Sequence, residues 1–503
     1  MYKHGSLWLP LDSEAYKHVS GSSKTMMGWN LPRVTDTDNH LLPALGALQA
    51  TSTDLQRNDP LAGGFIRNLV NGTISLGLQP EPVIEREFLG ISQEKADKFI
   101  NDAEFLWGLY ARSFDSDFSR KKTFWGLEKQ TAYSKVLFGN VYGIKKWRDG
   151  SVFGTCIQLV EDHRVETPPD KHSDESIVDG IETDENSGET IAIWVRNKQK
   201  KDEADEKHER VPVYDKNGFR QLMHIKRDDE RIGGTKGVPL LNNITTLLKQ
   251  TGRYTEAEAE ASVINAFIAF YTTTEGAVGP GTALAQNRGV VNNSPAKAAH
   301  EIPREIRSGQ TYNMGPGGKI NSLTPGRPNP AAETFMMAMI KFMACYLQIP
   351  YEVLLGVYHS SYSASRASIM QAYRLYQKER QDLASEFHNH VWEWFVSECV
   401  AKGLLEAPGF FENPLIRQTW LQVEWMGDSP PQLDLWKEAK GATEFIRARL
   451  APRKHFSRTI LGLRYDRVQE QLEREERNLK KEDIRKNQDE ELSKEEEDEL
   501  ESD

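Results

Sequence analysis

The chain has 503 residues, which is too long for one ordinary hydrophobic core and predicts two to four structural regions. Hydrophobic residues make up 38% of the sequence, and no apolar run reaches the roughly eighteen residues of a bilayer-spanning helix, so we expect no membrane partner. The net charge is -11, but residues 488–503 hold ten Asp or Glu and one Lys, so the rest of the chain is nearly neutral. Total charge therefore does not exclude a nucleic-acid partner.

The cysteines and the first residues indicate the compartment. The three cysteines, Cys156, Cys345 and Cys399, are far apart in the sequence and predict neither a disulfide framework nor a zinc site. Cys345 and Cys399 fall in apolar helical runs, so we expect both thiols to be buried. The chain begins without the apolar stretch of a secretion signal, which favours synthesis and assembly in the cytoplasm.

The first third of the chain changes from a loose arm to helices and then to strands. Residues 1–52 have few periodic apolar positions and predict a loosely ordered arm. Apolar residues at helical spacing predict a helix over 53–71, ended by Gly72, and another over 92–112. Alternation with a period of two predicts a hairpin within 138–165.

Residues 166–210 are dominated by Asp, Glu, Lys and Ser and predict a solvated, acidic insertion with one strand at 190–196. Its carboxylates lack a fixed ligand spacing, so no metal site is expected there. Strands return near 211–214 and 221–227, and a helix follows over 238–262.

Residues 276–330 hold nine Gly and seven Pro, which predicts short strands and turns. Asn329 and Pro330 are then a good start for a helix, because a capping residue precedes a Pro at the first position. The segment carries six basic residues against two Glu, and we expect a surface that meets DNA or an acidic partner. The basic residues are Arg288, Lys297, Arg304, Arg307, Lys319 and Arg327. A solvated loop is the plainer alternative.

The best-supported element is a helix without Gly or Pro from about residue 364 to 402, on the order of 60 Å long at ~1.5 Å per residue. A short apolar helix at 335–347 and the segment IPYEVLLG at 349–356 precede it, and Gly403 ends it. A strand near 418–425 and helices at 432–449 and beyond 454 complete the pattern.

Two motifs suggest enzymes only weakly. His388, Asn389 and His390 spell the letters of an HNH nuclease, but they fall in the middle of a predicted helix, where residues two apart point in different directions. The glycine-rich run 315–319 lacks Walker spacing and predicts a turn. No catalytic constellation stands out, so we expect no enzyme, no cofactor and no metal.

Three blocks of the sequence resemble the lambda-type family of phage portal proteins. The most specific block is IPYEVLLG at 349–356 with YSASRAS at 362–368. DLQRNDPLA at 54–62, continuing to Gly72, is similar to the opening helix of that family, and WMG at 425–427 with KEA at 437–439 is a weaker match. The acidic insertion and the acidic tail (residues 488–503) are not family hallmarks, and Arg449 and Leu450 stand where the family usually has Gly.

The resemblance implies an α+β fold, with long helices, a small β-rich clip and a mixed wing domain, in the subunit of a ring. The expected order is an N-terminal arm (1–52), a wing (53–237), a stem helix (238–265), a clip (266–329), a second stem helix (330–348), a tunnel-loop region (349–363), the long helix and second part of the wing (364–431), a crown (432–487) and the acidic tail.

The resemblance also implies a function. A homo-oligomeric ring, normally of about twelve copies, is expected at one vertex of a virion capsid assembled in the host cytoplasm. Double-stranded DNA would pass through it without sequence preference. The implied partners are the terminase large subunit, a head-completion or adaptor protein, and the major capsid or scaffolding protein.

The chemistry of the predicted tunnel loop agrees with that function. Between Glu352 and Arg366 the sequence has no Lys, Arg, Asp or Glu. A ring that lets DNA slide must not bind it firmly, because every neutralised phosphate adds affinity and a ring repeats each contact. We therefore predict that DNA meets the loop residues Val357, Tyr358, His359, Ser360, Ser361 and Tyr362.

Two other functions compete with this reading. One is a structural head adaptor or internal scaffold without DNA passage. The more remote one is an HNH-like nuclease that uses the His388 region.

Overall fold

The computed structural model describes residues 2–4, 7–9, 35–197, 207–227, 231–267, 271–274, 318–321, 331–358, 361–429, 434–463, 465 and 467–482. Its α-helices are α1 (Thr37–Asn58), α2 (Pro60–Ile74), α3 (Arg86–Leu89), α4 (Gln93–Arg112), α5 (Phe124–Phe138), α6 (Thr245–Phe267), α7 (Ala332–Leu347), α8 (Tyr351–Leu355), α9 (Tyr362–Leu383), α10 (Asn389–Ala401), α11 (Pro414–Trp420), α12 (Leu435–Arg447) and α13 (Arg453–Leu461). Residues 467–482 are also helical.

The strands form small antiparallel sheets. They are β1 (Tyr2–His4), β2 (Leu7–Leu9), β3 (Gln79–Pro82), β4 (Asn140–Trp147), β5 (Thr155–Glu161), β6 (Ile177–Val178), β7 (Ile181–Thr183), β8 (Thr190–Arg196), β9 (His208–Pro212), β10 (Leu222–Lys226), β11 (Tyr271–Thr274), β12 (Gly318–Asn321) and β13 (Val423–Met426). The sheet orders are β1-β2, β10-β4-β5, β6-β7-β8-β9, β11-β12 and β13-β3. The predicted α+β class is confirmed.

The chain divides into two compact units, each built from separate stretches of sequence. The first unit contains residues 1–53, 74–242 and 381–426. The second contains residues 54–73, 243–380 and 427–503.

The core of the first unit is an aromatic cluster around Trp107, which is 1% exposed. Its ring centroid lies 4.8 Å from that of Phe124, 5.2 Å from Phe395, and 5.5 Å from both Trp392 and Trp425. Trp107 lies on helix α4, which is capped by Ser92, whose hydroxyl accepts the Lys95 N–H.

The acidic insertion is more ordered than predicted. Its strands β6 to β9 form a sheet whose apolar residues share one buried cluster with residues of the β4–β5 hairpin and β10. The cluster contains Tyr142, Ile144, Val160, Val165, Ile181, Ile193, Val195, Val211, Val213 and Leu222. The predicted strand at 190–196 is present as β8, and most described residues of the insertion are exposed or half-buried, but β6 and β7 are further short strands with buried residues that the sequence did not predict.

Several predicted helix boundaries were also wrong. Helix α1 begins at Thr37 inside the predicted arm, and α2 runs through Gly72 to Ile74. Helix α6 begins only at Thr245, because residues 238–244 form an irregular segment that buries Leu240 and Leu241.

Further along the chain, α7 begins at Ala332 with Ala331 as its N-cap, whereas the predicted start at Asn329 and Pro330 lies outside the described residues. Helix α11 occupies part of the predicted strand at 418–425, since Asn413 caps it and Pro414 is its first residue. Arg449, at the position where a Gly was missing, adopts a left-handed φ of 57°.

The predicted long helix is present, with one irregularity. It is continuous from Tyr362 to Ala401 and contains a single π-helical turn, Ala384–His388. Gly403 follows with a φ of 70°. Cys399 is buried as expected, but Cys345 is exposed, so that part of the prediction was wrong. Among the described helices, none combines the length and the apolar character needed to cross a bilayer.

We predict that Trp107→Ala lowers the free energy of unfolding by about 3–5 kcal/mol, because it leaves a large cavity among five aromatic neighbours. The control is Phe105→Ala on the same helix, where the side chain is 66% exposed and its loss costs little. Urea unfolding of both variants measures the difference. Equal effects would show that the Trp107 cluster is not the core of this unit.

Candidate functional site

The segment between α8 and α9, residues 356–361, is called the inter-helix loop below. Helix α8 begins after Pro350 and ends at Gly356, which has a φ of 66°. The N–H groups of Gly356 and Val357 both donate to the carbonyl oxygen of Glu352. Only Gly adopts this left-handed conformation without steric cost, so the sequence IPYEVLLG builds one helical turn and then stops it.

The described side chains of the loop are uncharged and lie at the surface. Val357 is 42% exposed, Tyr358 is 44% exposed, and Ser361 is exposed with its hydroxyl 3.2 Å from that of Ser363. Tyr362 is 51% exposed but belongs to the first turn of α9, so the loop is shorter than predicted. The predicted residues His359 and Ser360 lie outside the described residues.

The tyrosines around the loop stay neutral. Burial raises the pKa of Tyr358, and the nearby Glu352 carboxylate raises it further. Burial also raises the pKa of Tyr376 to about 12, with a smaller contribution from Tyr358. Neither phenol loses its proton near neutral pH, so neither adds a negative charge beside the loop.

Two cations near the start of α9 are paired with carboxylates. Arg366 is the first cation after the loop, and its guanidinium lies 2.6 Å from the carboxylate of Glu438. The Lys437 ammonium lies 5.9 Å from the ring centroid of Tyr362 and is paired with Asp434 at 3.0 Å.

Both ends of the loop are fixed by hydrogen bonds within the second unit. The Glu352 side chain is buried and accepts a hydrogen bond from the Ser368 hydroxyl of α9. On the other side of α8, the Asn68 amide of α2 donates to the carbonyl of Val353 at 3.3 Å. The Tyr376 hydroxyl donates to the same Asn68 side chain, so α2, α8 and α9 are linked.

Arg380 lies one helical turn after Tyr376 and also anchors α9. Its buried guanidinium donates to the backbone carbonyls of Thr73 at 2.9 Å, Asp428 at 3.3 Å and Gly72 at 3.4 Å. A Cβ atom at Gly427 would lie 2.4 Å from the guanidinium carbon, which explains why a Gly is present at that position. The three blocks of the family resemblance therefore supply residues to one set of contacts around α9.

The sequence did not identify Arg380 or Asn68 as structural residues, although one signal was available. Arg380 follows Tyr376 by four residues and precedes Leu383 by three, so it occupies the apolar stripe of α9. A charged residue at a buried position must be paired or hydrogen-bonded, and this marks Arg380 as an anchor.

The His388 motif is part of the core of the first unit. The His388 side chain is fully buried, with Nε2 2.9 Å from the Glu128 carboxylate and Nδ1 3.2 Å from the Leu383 carbonyl. Neighbouring His390 has its pKa lowered to about 4 by burial and, to a lesser extent, by Arg220. Within the described residues, no group of three or more His, Cys, Asp or Glu could hold a metal ion. The structure provides no nuclease geometry here.

The structure describes one residue of the predicted basic surface, Lys319. Lys319 lies on β12, which pairs with β11. Its other members, Arg288, Lys297, Arg304, Arg307 and Arg327, lie outside the described residues, so the surface stays a prediction.

We predict that Arg380→Ala destabilises the second unit by roughly 3 kcal/mol, because the buried carbonyl of Thr73 and two partly exposed carbonyls lose their donor and the buried side chain of Arg380 leaves a cavity. The matched control is Arg374→Ala, an exposed cation on the same helix that should cost under about 0.5 kcal/mol. Thermal or urea unfolding would measure both, and equal losses would contradict the anchoring role.

Comparison with known proteins identifies the family of this chain. The family model described as phage portal protein, lambda family, matches residues 22–380. Portal protein B of Escherichia phage lambda is 22% identical over 86% of this chain and 84% of its own length, and the portal protein of Escherichia phage N15 shows the same values. A solved chain described as the neck of an empty gene transfer agent particle, computed with C6 symmetry, is 14% identical, with a TM-score of 0.47 over 87% of this chain and 97% of its own. The chain belongs to the lambda family of phage portal proteins.

Proposed function

We propose that this chain assembles into a homo-oligomeric ring, normally of about twelve copies, at one vertex of a phage capsid in the virion. Double-stranded DNA passes through the centre of the ring during packaging and ejection. The ring is a structural part without catalytic activity of its own. It docks the terminase large subunit during packaging and a head-completion or adaptor protein afterwards, and it contacts the major capsid or scaffolding protein.

Family membership supports the first part of this proposal. One observation supports the DNA passage: the described side chains of the inter-helix loop, Val357, Tyr358 and Ser361, are exposed and uncharged, and the flanking helices α8 and α9 are hydrogen-bonded to each other and to α2. The nearby cations Arg366 and Lys437 are already paired with carboxylates. Such a surface can lie close to phosphates without releasing counterions, so it does not hold the DNA.

A loop without charged side chains is also suited to repetition around a ring. A contact of ~1 kcal/mol is negligible once, but repeated about twelve times it would prevent sliding. The loop of every subunit therefore has to bind DNA phosphates only weakly.

We predict that Tyr358→Lys yields rings and empty shells in normal amounts but stops DNA packaging before completion. The new cation replaces a neutral phenol on an exposed loop and leaves the bonds from Glu352 and Asn68 intact. Packaged DNA length in purified heads, measured by pulsed-field gel electrophoresis, would show the stall.

The matched control for that variant is Gln377→Lys, which adds the same charge at an exposed position of α9 outside the loop and should package normally. Failure of Tyr358→Lys to form rings would make the loop a subunit interface. Normal packaging by Tyr358→Lys would remove the loop from the DNA path.

For the predicted clip we expect Arg304→Glu combined with Arg307→Glu to leave the ring intact but to impair motor docking, head completion or DNA retention. The two cations lie three residues apart in the most basic segment of the chain. Lys121→Glu with Lys122→Glu, outside that segment, is the control. A normal yield of infectious particles from the Arg304 and Arg307 variant would argue against the clip assignment.

A further inference from the structure

A groove of about 560 Å³ lies between α7 and α9 in the second unit and is called the basic groove. Its charged lining residues are all cations, namely Lys341, Arg374 and Lys378. Lys341 is on α7, and the other two are four residues apart on one face of α9. Buried Ala344 and Ile349, together with Leu375, provide an apolar part of the lining.

The cations of the basic groove are exposed and lack carboxylate partners. Within the described residues, no Asp or Glu oxygen lies within 4.0 Å of Lys341, Arg374 or Lys378. The Lys341 ammonium instead lies 4.9 Å from the ring centroid of Tyr351. This differs from the cations near the inter-helix loop, which are paired, and it leaves three positive charges around one concave surface.

We propose that the basic groove docks the acidic tail, residues 488–503, of this protein. Ten carboxylates and one Lys give the tail a charge of -9, which is complementary to the three cations. The tail also carries Leu492 and Leu500, which suit the apolar part of the groove. Because the tail is tethered, its effective concentration at the groove is on the order of millimolar, which makes even a weak contact populated.

An extended acidic peptide fits this surface better than duplex DNA does. Duplex DNA presents its phosphates on a stiff convex surface and has no side chain to fill an apolar recess between two helices. A docked tail neutralises the three cations, so the α7–α9 surface does not attract phosphates. This inference does not rest on ring formation, because a tail and a groove of one subunit suffice.

Cys345 provides a direct test, because it lines the groove and is exposed, whereas Cys156 and Cys399 are buried. In the full-length Ser493→Cys variant, a short bismaleimide should link the introduced thiol to Cys345. The mass of the product shows whether the tail comes from the same copy or a neighbouring copy, and either result supports the proposal. We expect the yield to fall at least several-fold when salt rises from about 0.05 M to about 0.5 M.

Charge reversal provides the matched comparison. In the Ser493→Cys variant, adding Arg374→Glu with Lys378→Glu should lower the cross-link yield about tenfold. Adding Lys249→Glu with Arg253→Glu instead should leave the yield unchanged, since that exposed pair on α6 has the same spacing but lies outside the groove. Equal yields from the two double variants would overturn the proposal, as would the absence of a cross-link when Cys345 itself reacts with maleimide.

A variant that ends at residue 487 gives a second readout. Its Cys345 should react with maleimide several-fold faster than Cys345 of the full-length protein, and an unchanged rate would contradict the proposal. If a short DNA duplex protected Cys345 equally well with and without the tail, the groove would be a phosphate site and the assignment to the tail would be wrong.

Discussion

The second unit depends on the buried guanidinium of Arg380, whose positive charge needs hydrogen-bond acceptors. Arg380 is 8% exposed, and its guanidinium donates to backbone carbonyls near the end of α2 and just after β13. An unpaired charge in this position would cost several kcal/mol, so the chain folds in a way that brings those carbonyls to it. The close fit of Gly427 against the guanidinium leaves no room for a side chain there.

The same face of α9 positions the inter-helix loop. One turn before Arg380, the Tyr376 hydroxyl donates to Asn68, and the Asn68 amide in turn donates to the carbonyl of Val353 in the middle of α8. Two turns earlier, Ser368 binds the buried Glu352. Since α8 and α9 are fixed by these bonds, the loop between them needs no charged side chain of its own to hold its place. Anchoring and the described surface chemistry of the loop are therefore supplied by different residues.

Helices and strands with a clear local sequence pattern were predicted, whereas features that depend on contacts between distant segments were not. The spacing of Tyr373, Tyr376 and Leu383 predicted the long helix, and the alternation around Trp147 predicted the β4–β5 hairpin. Helix α5 was missed because its buried face includes the polar residues Glu128 and Lys135, which dilute the apolar pattern.

Other features required contacts that no local pattern contains. Helix α1 was missed because Pro43 and many polar residues interrupt its apolar pattern. Strands β6 and β7 were missed because they are short and acidic turns dominate the composition around them, whereas β8 was predicted. Cys345 was expected to be buried, but the buried face of α7 is formed by Ile340, Met343, Ala344 and Leu347, and Cys345 falls just outside it. Neither the bond from Asn68 to Val353 nor the basic groove could be predicted, since both join segments that are distant in sequence.

Negative-stain electron microscopy of the purified full-length protein, combined with mass photometry, tests most directly whether this portal-family chain forms a ring. If the ring proposal holds, the images show rings with a central hole, and the mass is well above roughly half a megadalton, as expected for about twelve copies of a 57.2 kDa chain. Particles without a central hole, or a protein that stays monomeric at every concentration tested, would contradict it.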